Sequence, residues 1–242
     1  MYADSPSSER RPLVIAVDGP SGSGKSSVSR AVAERLGLAY LDTGAMYRAV
    51  CWACLDAGVD LADQEAVAAL ARSLPLAVGT DPRAPTVQVG QRDVAVEIRR
   101  PEISGQVSRV ATNEQVRAEL RSRQRAIIED AGRGPLGGIV AEGRDITTVV
   151  APDAPVRILL TADARARLAR RALELHGSAD DAALSATADQ VIRRDAVDAT
   201  VASFLTAALG VVEVDSSALD FEQTVEAVLA AVHRVAEPAG AS

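Results

Sequence analysis

Residues 13–26, LVIAVDGPSGSGKS, place a short apolar run directly before a glycine-rich loop that ends in Lys-Ser. Every fixed position of the pattern G-x-x-x-x-G-K-[ST] is filled, by Gly19, Gly24, Lys25 and Ser26. Such a loop turns backbone N–H groups inward as an anion nest, and the helix that follows adds the positive end of its dipole. The pattern therefore predicts a strand–loop–helix unit that binds the phosphates of ATP or GTP.

Each part of this phosphate loop has an expected role on a triphosphate. Lys25 can reach the outer phosphates as a point charge, and the hydroxyl of Ser26 can be a ligand of Mg²⁺. Asp18, at the end of the apolar run, is a candidate to contact that metal through water. The residues expected to contact the nucleotide phosphates are Gly19, Pro20, Ser21, Gly22, Ser23, Gly24, Lys25 and Ser26.

Composition narrows the classes of partner. The net charge of −7 argues against broad affinity for nucleic acid or anionic membrane, so an anionic ligand must be held by a local cluster of arginines. Aromatic residues, at 2%, are too few for a protein that grips single strands by base stacking. No apolar run reaches the roughly 18 residues of a membrane span. We expect a cytoplasmic protein that binds neither nucleic acid nor membrane, with disordered tails at 1–12 and 237–242.

Cys51 and Cys54 form a C-x-x-C pair, a spacing found in zinc and redox sites. A zinc site needs two more ligands, but there is no third cysteine, and both histidines are distant along the chain. The pair also lies inside a helical pattern rather than between a strand and a helix. We interpret it as two small buried thiols one turn apart.

Strand-like and helix-like patterns alternate, which favours a mostly parallel sheet with helices on its faces. After the first strand, the predicted core strands are 38–42, 137–142, 156–162 and 211–215. Thr43 is expected to cap the helix that follows the second strand. Residues 76–99 form short alternating runs, including DVAVE at 93–97, which indicate antiparallel hairpins. We expect one domain over 13–236 that contains this insertion and a helical, Arg-rich stretch at 163–199.

Cationic residues near the predicted strand ends favour phosphoryl transfer. The guanine-reading N-K-x-D of Ras-like GTPases is absent, and the acid of VAEGRD is not followed by the second acid expected in a motor ATPase. Ligands of open α/β sheets bind at strand ends, where the sequence places Thr43, Arg48, Arg144 and Asp145. Further cations at helical spacing, which could form a lid over phosphates, are Arg167, Arg170 and Arg171, followed by Arg193 and Arg194.

Four segments together resemble the bacterial cytidylate kinase family: VDGPSGSGKSSVSRAVAERLG, LDTGAMYR, VEIRRPEISGQVSRV and VAEGRDITTVVAPDAP. The similarity runs in the same order from Leu13 to about Asp198. It implies a P-loop kinase fold, with a five-stranded parallel sheet flanked by helices, a β-containing insert that binds the nucleoside monophosphate, and a mobile Arg-rich lid. It also implies phosphorylation of CMP and dCMP by ATP with Mg²⁺, in a protein that is commonly monomeric.

The resemblance also implies roles for individual residues. Arg48 and Arg144 would hold the CMP phosphate, and Arg194 and Asp198 would approach the sugar and phosphate from the lid. The residues that would steady the ATP phosphates and contribute to catalysis with Lys25 are Arg167, Arg170 and Arg171. The residues that would read cytosine, with Thr43 close to them, are Ser108, Arg117 and Asp145. The chemistry of cytosine agrees, because a carboxylate is the natural acceptor for its exocyclic amine.

The lid departs from the family pattern, which usually carries an arginine three residues after the aspartate that matches Asp198. This chain has Val201. Three interpretations stay open: weaker CMP binding, compensation by another arginine such as Arg193, or a shifted acceptor preference. At the level of function, the alternatives are a kinase of the same fold with another acceptor, such as a shikimate-like one, and a nucleotide-binding regulatory protein with impaired catalysis.

Overall fold

A five-stranded, wholly parallel sheet is the central layer of the computed structural model, which describes residues 12–236. The strands in chain order are β1 (Leu13–Asp18), β2 (Ala39–Asp42), β3 (Leu76–Val78), β4 (Val87–Val89), β5 (Arg92–Asp93), β6 (Gly138–Gly143), β7 (Val156–Thr161) and β8 (Val212–Asp215). The central sheet has the order β2-β6-β1-β7-β8, with parallel neighbours throughout. The predicted fold class is therefore confirmed. Of the predicted tails, 1–11 and 237–242 lie outside the described residues.

Helices cover both faces of this sheet. They are α1 (Lys25–Leu36), α2 (Thr43–Asp56), α3 (Gln64–Ser73), α4 (Pro101–Ala111), α5 (Glu114–Arg133), α6 (Ala164–His176), α7 (Asp181–Asp198) and α8 (Phe221–Ala236). The core on one face joins Leu41 and Ile139 of the sheet to α2–α5, and the other joins Ile15 and Ile158 to α1 and α8. Within residues 12–236, no helix combines the length and apolarity needed to cross a membrane.

The ends of the helices near the phosphate loop follow local chemistry. α1 is terminated by Gly37, the residue after Leu36, whose φ of 66° is in the left-handed region that favours glycine. α2 is capped by Asp42, whose side chain accepts the N–H of Ala45 at 2.9 Å. The prediction that Thr43 caps this helix is therefore wrong by one residue. Thr43 is the first helical residue, and its hydroxyl donates instead to the Glu142 carbonyl at 2.8 Å.

The insertion forms a second, antiparallel sheet of β3, β4 and β5. The alternating run at 93–97 does not continue as a strand: Asp93 pairs with β4 and the Val94 N–H donates to the Val87 carbonyl at 2.8 Å, but the chain then turns into a 3₁₀ helix at Glu97–Arg99. Val94 and Ile98 are completely buried, whereas Val96 is 74% exposed, so the alternating valines of this run do not share one buried strand face. Cys51 and Cys54 are free and buried in α2, as predicted.

Candidate active site

The carboxyl ends of the parallel strands meet at one edge of the sheet, where a cleft of about 790 Å³ opens. β1 leads into the phosphate loop, β2 into α2, and β6 into Arg144 and Asp145, while α6 and α7 supply further lining residues. The predicted site residues that line the cleft are Ser21, Gly22, Ser23, Gly24, Lys25, Ser26, Thr43, Arg48, Arg117, Arg144, Asp145, Arg170, Arg171, Arg194 and Asp198. The remaining ones, Gly19, Pro20, Ser108 and Arg167, contact these residues from behind.

The phosphate loop has a backbone that only glycine adopts easily at two positions. Gly22 and Gly24 have φ values of 76° and 86°. A Cβ at Gly22 would lie 2.5 Å from the carbonyl oxygen of Arg167, so a larger residue there would clash. α1 begins directly after Gly24, and its first N–H groups lack partners within the helix. The buried hydroxyl of Ser23 also has no partner among residues 12–236. The loop is built to receive an anion.

A hydroxyl and a carboxylate meet beside the loop lysine. Ser26 Oγ donates to Glu142 Oε1 at 2.6 Å, and Lys25 Nζ lies 3.9 Å from Oε2 of the same residue. Burial lowers the pKa of Lys25 to about 8, and burial together with the nearby Asp42 raises the pKa of Glu142. Oxygen atoms of this kind are the ligands that Mg²⁺ prefers, so Ser26 and Glu142 fit that ion.

Two arginines contact Asp42 at the start of α2. Arg48 Nη2 donates to Asp42 Oδ2 at 2.7 Å, and Arg99 Nη2 lies 3.4 Å from the same atom. Burial alone would raise the pKa of Asp42, but the two guanidinium groups outweigh it and hold the pKa below its usual value. Arg99 comes from the end of the insertion, so this contact ties the insertion to the floor of the cleft.

Arg144 is held by several elements at once. Its Nη1 donates to the Gly19 carbonyl at 3.2 Å and lies 3.0 Å from Asp195 Oδ1, while its Nη2 lies 3.3 Å from Asp198 Oδ2. The guanidinium also stacks on Phe204, 4.2 Å from the ring centroid. Because these contacts come from the phosphate loop, α7 and the segment after α7, the charge of Arg144 is fixed in one place.

Asp195 and Arg167 join the lid helices to the loop. Asp195 Oδ1 accepts the N–H of Ser21 at 3.0 Å, and its other oxygen pairs with Arg167. Arg167 also donates to the Ser21 carbonyl at 3.0 Å. Its guanidinium is therefore engaged with the loop and with α7.

The other predicted lid residues divide into two groups. On α7, Asp198 accepts the Ser108 hydroxyl at 2.9 Å and lies 3.7 Å from Arg194 Nε. Burial and the neighbouring Arg144 lower the pKa of Arg194 to about 10. On α6, Arg170 donates to three backbone carbonyls, those of Ser23, Ser216 and Leu219, and Arg171 pairs with Glu174 at 2.7 Å. Arg170 therefore braces the loop against the start of α8.

Asp145 and Arg117 form a buried pair in the same cleft. Arg117 Nη2 donates to Asp145 Oδ2 at 2.8 Å, and their side chains are 5% and 8% exposed. The Nε of Arg117 is buried and has no hydrogen-bond partner within the described part of the chain. The pair thus brings a carboxylate and an unused guanidinium donor together at the end of β6.

The site residues missing from the sequence prediction include Asp42, Arg99, Glu142, Asp195 and Phe204, together with Arg121, which contacts Asp145. Asp42 is the last residue of β2 and Glu142 the last but one of β6, and these positions near strand ends could have identified them. Conversely, the carboxylate of Asp18, the sequence-based candidate for a metal contact through water, is engaged by the turn after β6. It accepts the N–H groups of Ile146 and Thr147 at 2.9 and 2.8 Å and the Thr147 hydroxyl at 2.6 Å, so it holds that turn.

The parallel sheet and the phosphate loop after its central strand place the chain in the class of P-loop kinase folds. A family model described as cytidylate kinase matches residues 15–234, and the chain belongs to this family. It is 45% identical to a cytidylate kinase of Streptomyces avermitilis over 221 residues, 91% of this chain and 92% of the relative. It is 48% identical to one of Cutibacterium acnes over 219 residues, 90% and 95% of the two chains. Among solved structures, a gluconokinase from Sinorhizobium meliloti matches 94% of this chain and 95% of its own at 17% identity, with a TM-score of 0.43.

Proposed function

We propose that this protein transfers the γ-phosphoryl group of ATP to CMP and dCMP. An oxygen of the acceptor phosphate forms a bond to the γ-phosphorus while the bond between that phosphorus and the β,γ-bridging oxygen breaks, giving ADP and CDP or dCDP. The observation that carries the proposal is one cleft that contains both the phosphate loop and the Arg117–Asp145 pair. The family match supports the choice of acceptor.

The arrangement of charges supports distinct subsites. Lys25 and the loop N–H groups would hold the donor phosphates, with Arg171 approaching them from α6 and with Arg167 and Arg170 keeping the loop and the lid in place. Arg48, Arg144 and Arg194 would hold the acceptor phosphate. Mg²⁺, held by Ser26 and Glu142, would neutralise charge on the donor phosphates. Such alignment and charge compensation are the main requirements of phosphoryl transfer.

The acceptor base would lie against Asp145 and Arg117, with Thr43, Ser108 and Asp198 nearby. Cytosine offers an amine donor to the carboxylate, whereas uracil offers an oxygen that the carboxylate repels. In this proposal the antiparallel sheet within 76–99 is the monophosphate-binding insert, and α6 and α7 within 163–199 are the lid. We also propose that the enzyme is cytoplasmic and monomeric. Light scattering on the purified protein can check the oligomeric state.

A coupled assay of ADP release, with ATP, Mg²⁺ and five parallel acceptors, tests the proposal. The acceptors are CMP, dCMP, UMP, AMP and shikimate. Turnover with CMP and dCMP well above the others is expected. Preference for another acceptor would replace the proposal by a kinase of different specificity. ATP binding without turnover of any acceptor would indicate a nucleotide-binding protein with impaired catalysis.

A further inference from the structure

Arg121 on α5 lies outside the predicted site but contacts the carboxylate of Asp145. Its Nε and Nη2 donate to Asp145 Oδ2 at 3.2 and 3.1 Å, and Arg117 donates to that same oxygen. No residue of the described range 12–236 donates a hydrogen bond to Asp145 Oδ1. Two guanidinium groups thus saturate one carboxylate oxygen and leave the other free to accept from a ligand.

The position of Arg121 on the helix makes this arrangement specific. Arg117 and Arg121 are one turn apart, so they project from the same face of α5, where like charges repel. The buried carboxylate of Asp145 compensates this repulsion, because it pairs with both arginines. One net positive charge remains on the three side chains.

Val201 lies directly against the cluster formed by Arg117, Arg121 and Asp145. Its backbone carbonyl accepts Arg117 Nη2 at 3.0 Å, and it lines the cleft together with Arg117 and Asp145. A side chain at position 201 would therefore stand beside the base-reading pair, and here that side chain carries no charge. Arg193, the sequence-based candidate for compensation, is exposed and does not line the cleft. Arg121 is the extra cation that does reach the cluster.

We propose that Arg121 is a positioning residue for recognition of the acceptor base, and that it compensates for the absence of an arginine at 201. This role rests on the proposed function. Arg121 holds Oδ2 of Asp145, so that Oδ1 stays aligned for the exocyclic amine of cytosine. Two charge-assisted hydrogen bonds from one guanidinium restrict the carboxylate more than a single contact does. A correctly oriented carboxylate favours an amine donor and opposes the oxygen that uracil presents at the same place.

Steady-state kinetics of the Arg121→Gln variant test this role, with CMP and UMP as acceptors at saturating ATP. We expect KM for CMP to rise roughly tenfold and the CMP-to-UMP ratio of kcat/KM to fall roughly tenfold, since hydrogen bonds to a charged group are lost. The KM for ATP should stay at the parent value, and the melting temperature should fall by only a few degrees, because the variant loses only the hydrogen bonds of one side chain to Asp145. Arg121→Lys should give an intermediate ratio, because an ammonium lacks the planar fork of donors.

Two further variants separate the role from a general effect of charge. Arg133→Gln removes one positive charge from the exposed end of the same helix and should behave as the parent. In the Arg121→Gln background, Val201→Arg should restore most of the CMP-to-UMP ratio. Failure of this second change to restore any of the ratio would overturn the compensation.

The possible failures are distinguishable. If the parent phosphorylates CMP but Arg121→Gln keeps the parent ratio, the role of Arg121 is overturned and the proposed function stands. An equal loss of kcat/KM for CMP, UMP and ATP would overturn the role of Arg121 too, because that pattern indicates general damage to the enzyme. If Arg121→Gln does not fold, Arg121→Lys decides, and an unchanged ratio rejects the role. A parent that does not phosphorylate CMP would overturn both proposals.

Discussion

Lys25 is the only lysine of the chain, among 26 basic residues. Its side chain is 14% exposed and its ammonium lies 3.9 Å from Glu142 Oε2, a carboxylate oxygen of the residue that also accepts the Ser26 hydroxyl. Burial disfavours the charged form, and the shared carboxylate compensates only in part, which lowers the pKa to about 8. A bound phosphate would supply the missing counter-charge, so the lysine is poised for an anion.

Replacing this lysine by alanine should abolish phosphoryl transfer. Loss of a charge directed at the reacting phosphates costs roughly 10²–10³ in kcat or more. The melting temperature should change little, because the loop backbone is set by its glycines and by α1. Activity within about tenfold of the parent would contradict the phosphate role of Lys25.

Because the chain has a single lysine, its side chain can be probed without mutation. An amine-directed acylating reagent should modify one side chain and inactivate the enzyme, and ATP should protect it. Peptide mass spectrometry locates the modified residue and separates it from the N-terminal amine. Acylation of Lys25 at the same rate with and without saturating ATP would place the nucleotide elsewhere.

Asp145→Asn should narrow the preference for CMP over UMP. The amide keeps the shape of the side chain but puts donors where the carboxylate has only acceptors, so cytosine loses its partner and the uracil oxygen gains one. We expect the ratio of kcat/KM values to fall by about tenfold to a hundredfold. Asp130→Asn, an exposed change on α5, is the matched control. A ratio equal to that of the control would remove Asp145 from base recognition.

At the scale of elements, the sequence predicted what short-range chemistry determines. The sequence predicts the helices α1 and α2 and the five core strands because glycine and apolar periodicity act within a few residues. The prediction of a strand at 93–97 is wrong beyond its first residues, because Val94 is completely buried while Val96, which a strand would place on the same face, is 74% exposed. The attachment of α7 to the loop by Asp195 was also missed, because that contact spans 174 residues.

Asp195→Ala should loosen α7 without affecting the sheet. This side chain accepts the N–H of Ser21 and pairs with Arg144 and Arg167, so its loss leaves two partly buried guanidinium groups without that carboxylate. We expect amide hydrogen exchange in α7 to accelerate roughly tenfold or more, as for lost hydrogen bonds to a charged group. Exchange in β1 should be unchanged.

The matched control for this change is Asp181→Ala, at the exposed start of the same helix. It removes the same charge but none of the contacts with the loop. Equal acceleration of α7 in both variants would mean that the exchange reports helix propensity or net charge. In that case Asp195 would not be the residue that fastens the lid to the loop.

At the scale of the whole molecule, the site depends on parallel strands that bring distant residues to one edge. Ser26 and Glu142 are 116 residues apart in sequence and 2.6 Å apart in space. Sequence patterns alone identify the phosphate loop, and the resemblance to a family indicates Arg117 and Asp145 as residues that would read the base. Arg121 could not be found in either way, because its contact with Asp145 depends on the packing of α5 against the end of β6.

The central strands also contribute buried side chains to both core clusters, so we expect them to contribute strongly to global stability. Ile158 on β7 is completely buried in the core between the sheet, α1 and α8. Ile158→Ala should lower the free energy of unfolding by about 2–5 kcal/mol through lost burial and a cavity. Leu209→Ala, at a side chain 97% exposed, should change it by less than about 0.5 kcal/mol. Urea titration measures both, with the midpoint shifted and the slope unchanged. Similar midpoints for the two variants would mean that the sheet core does not control unfolding of the molecule.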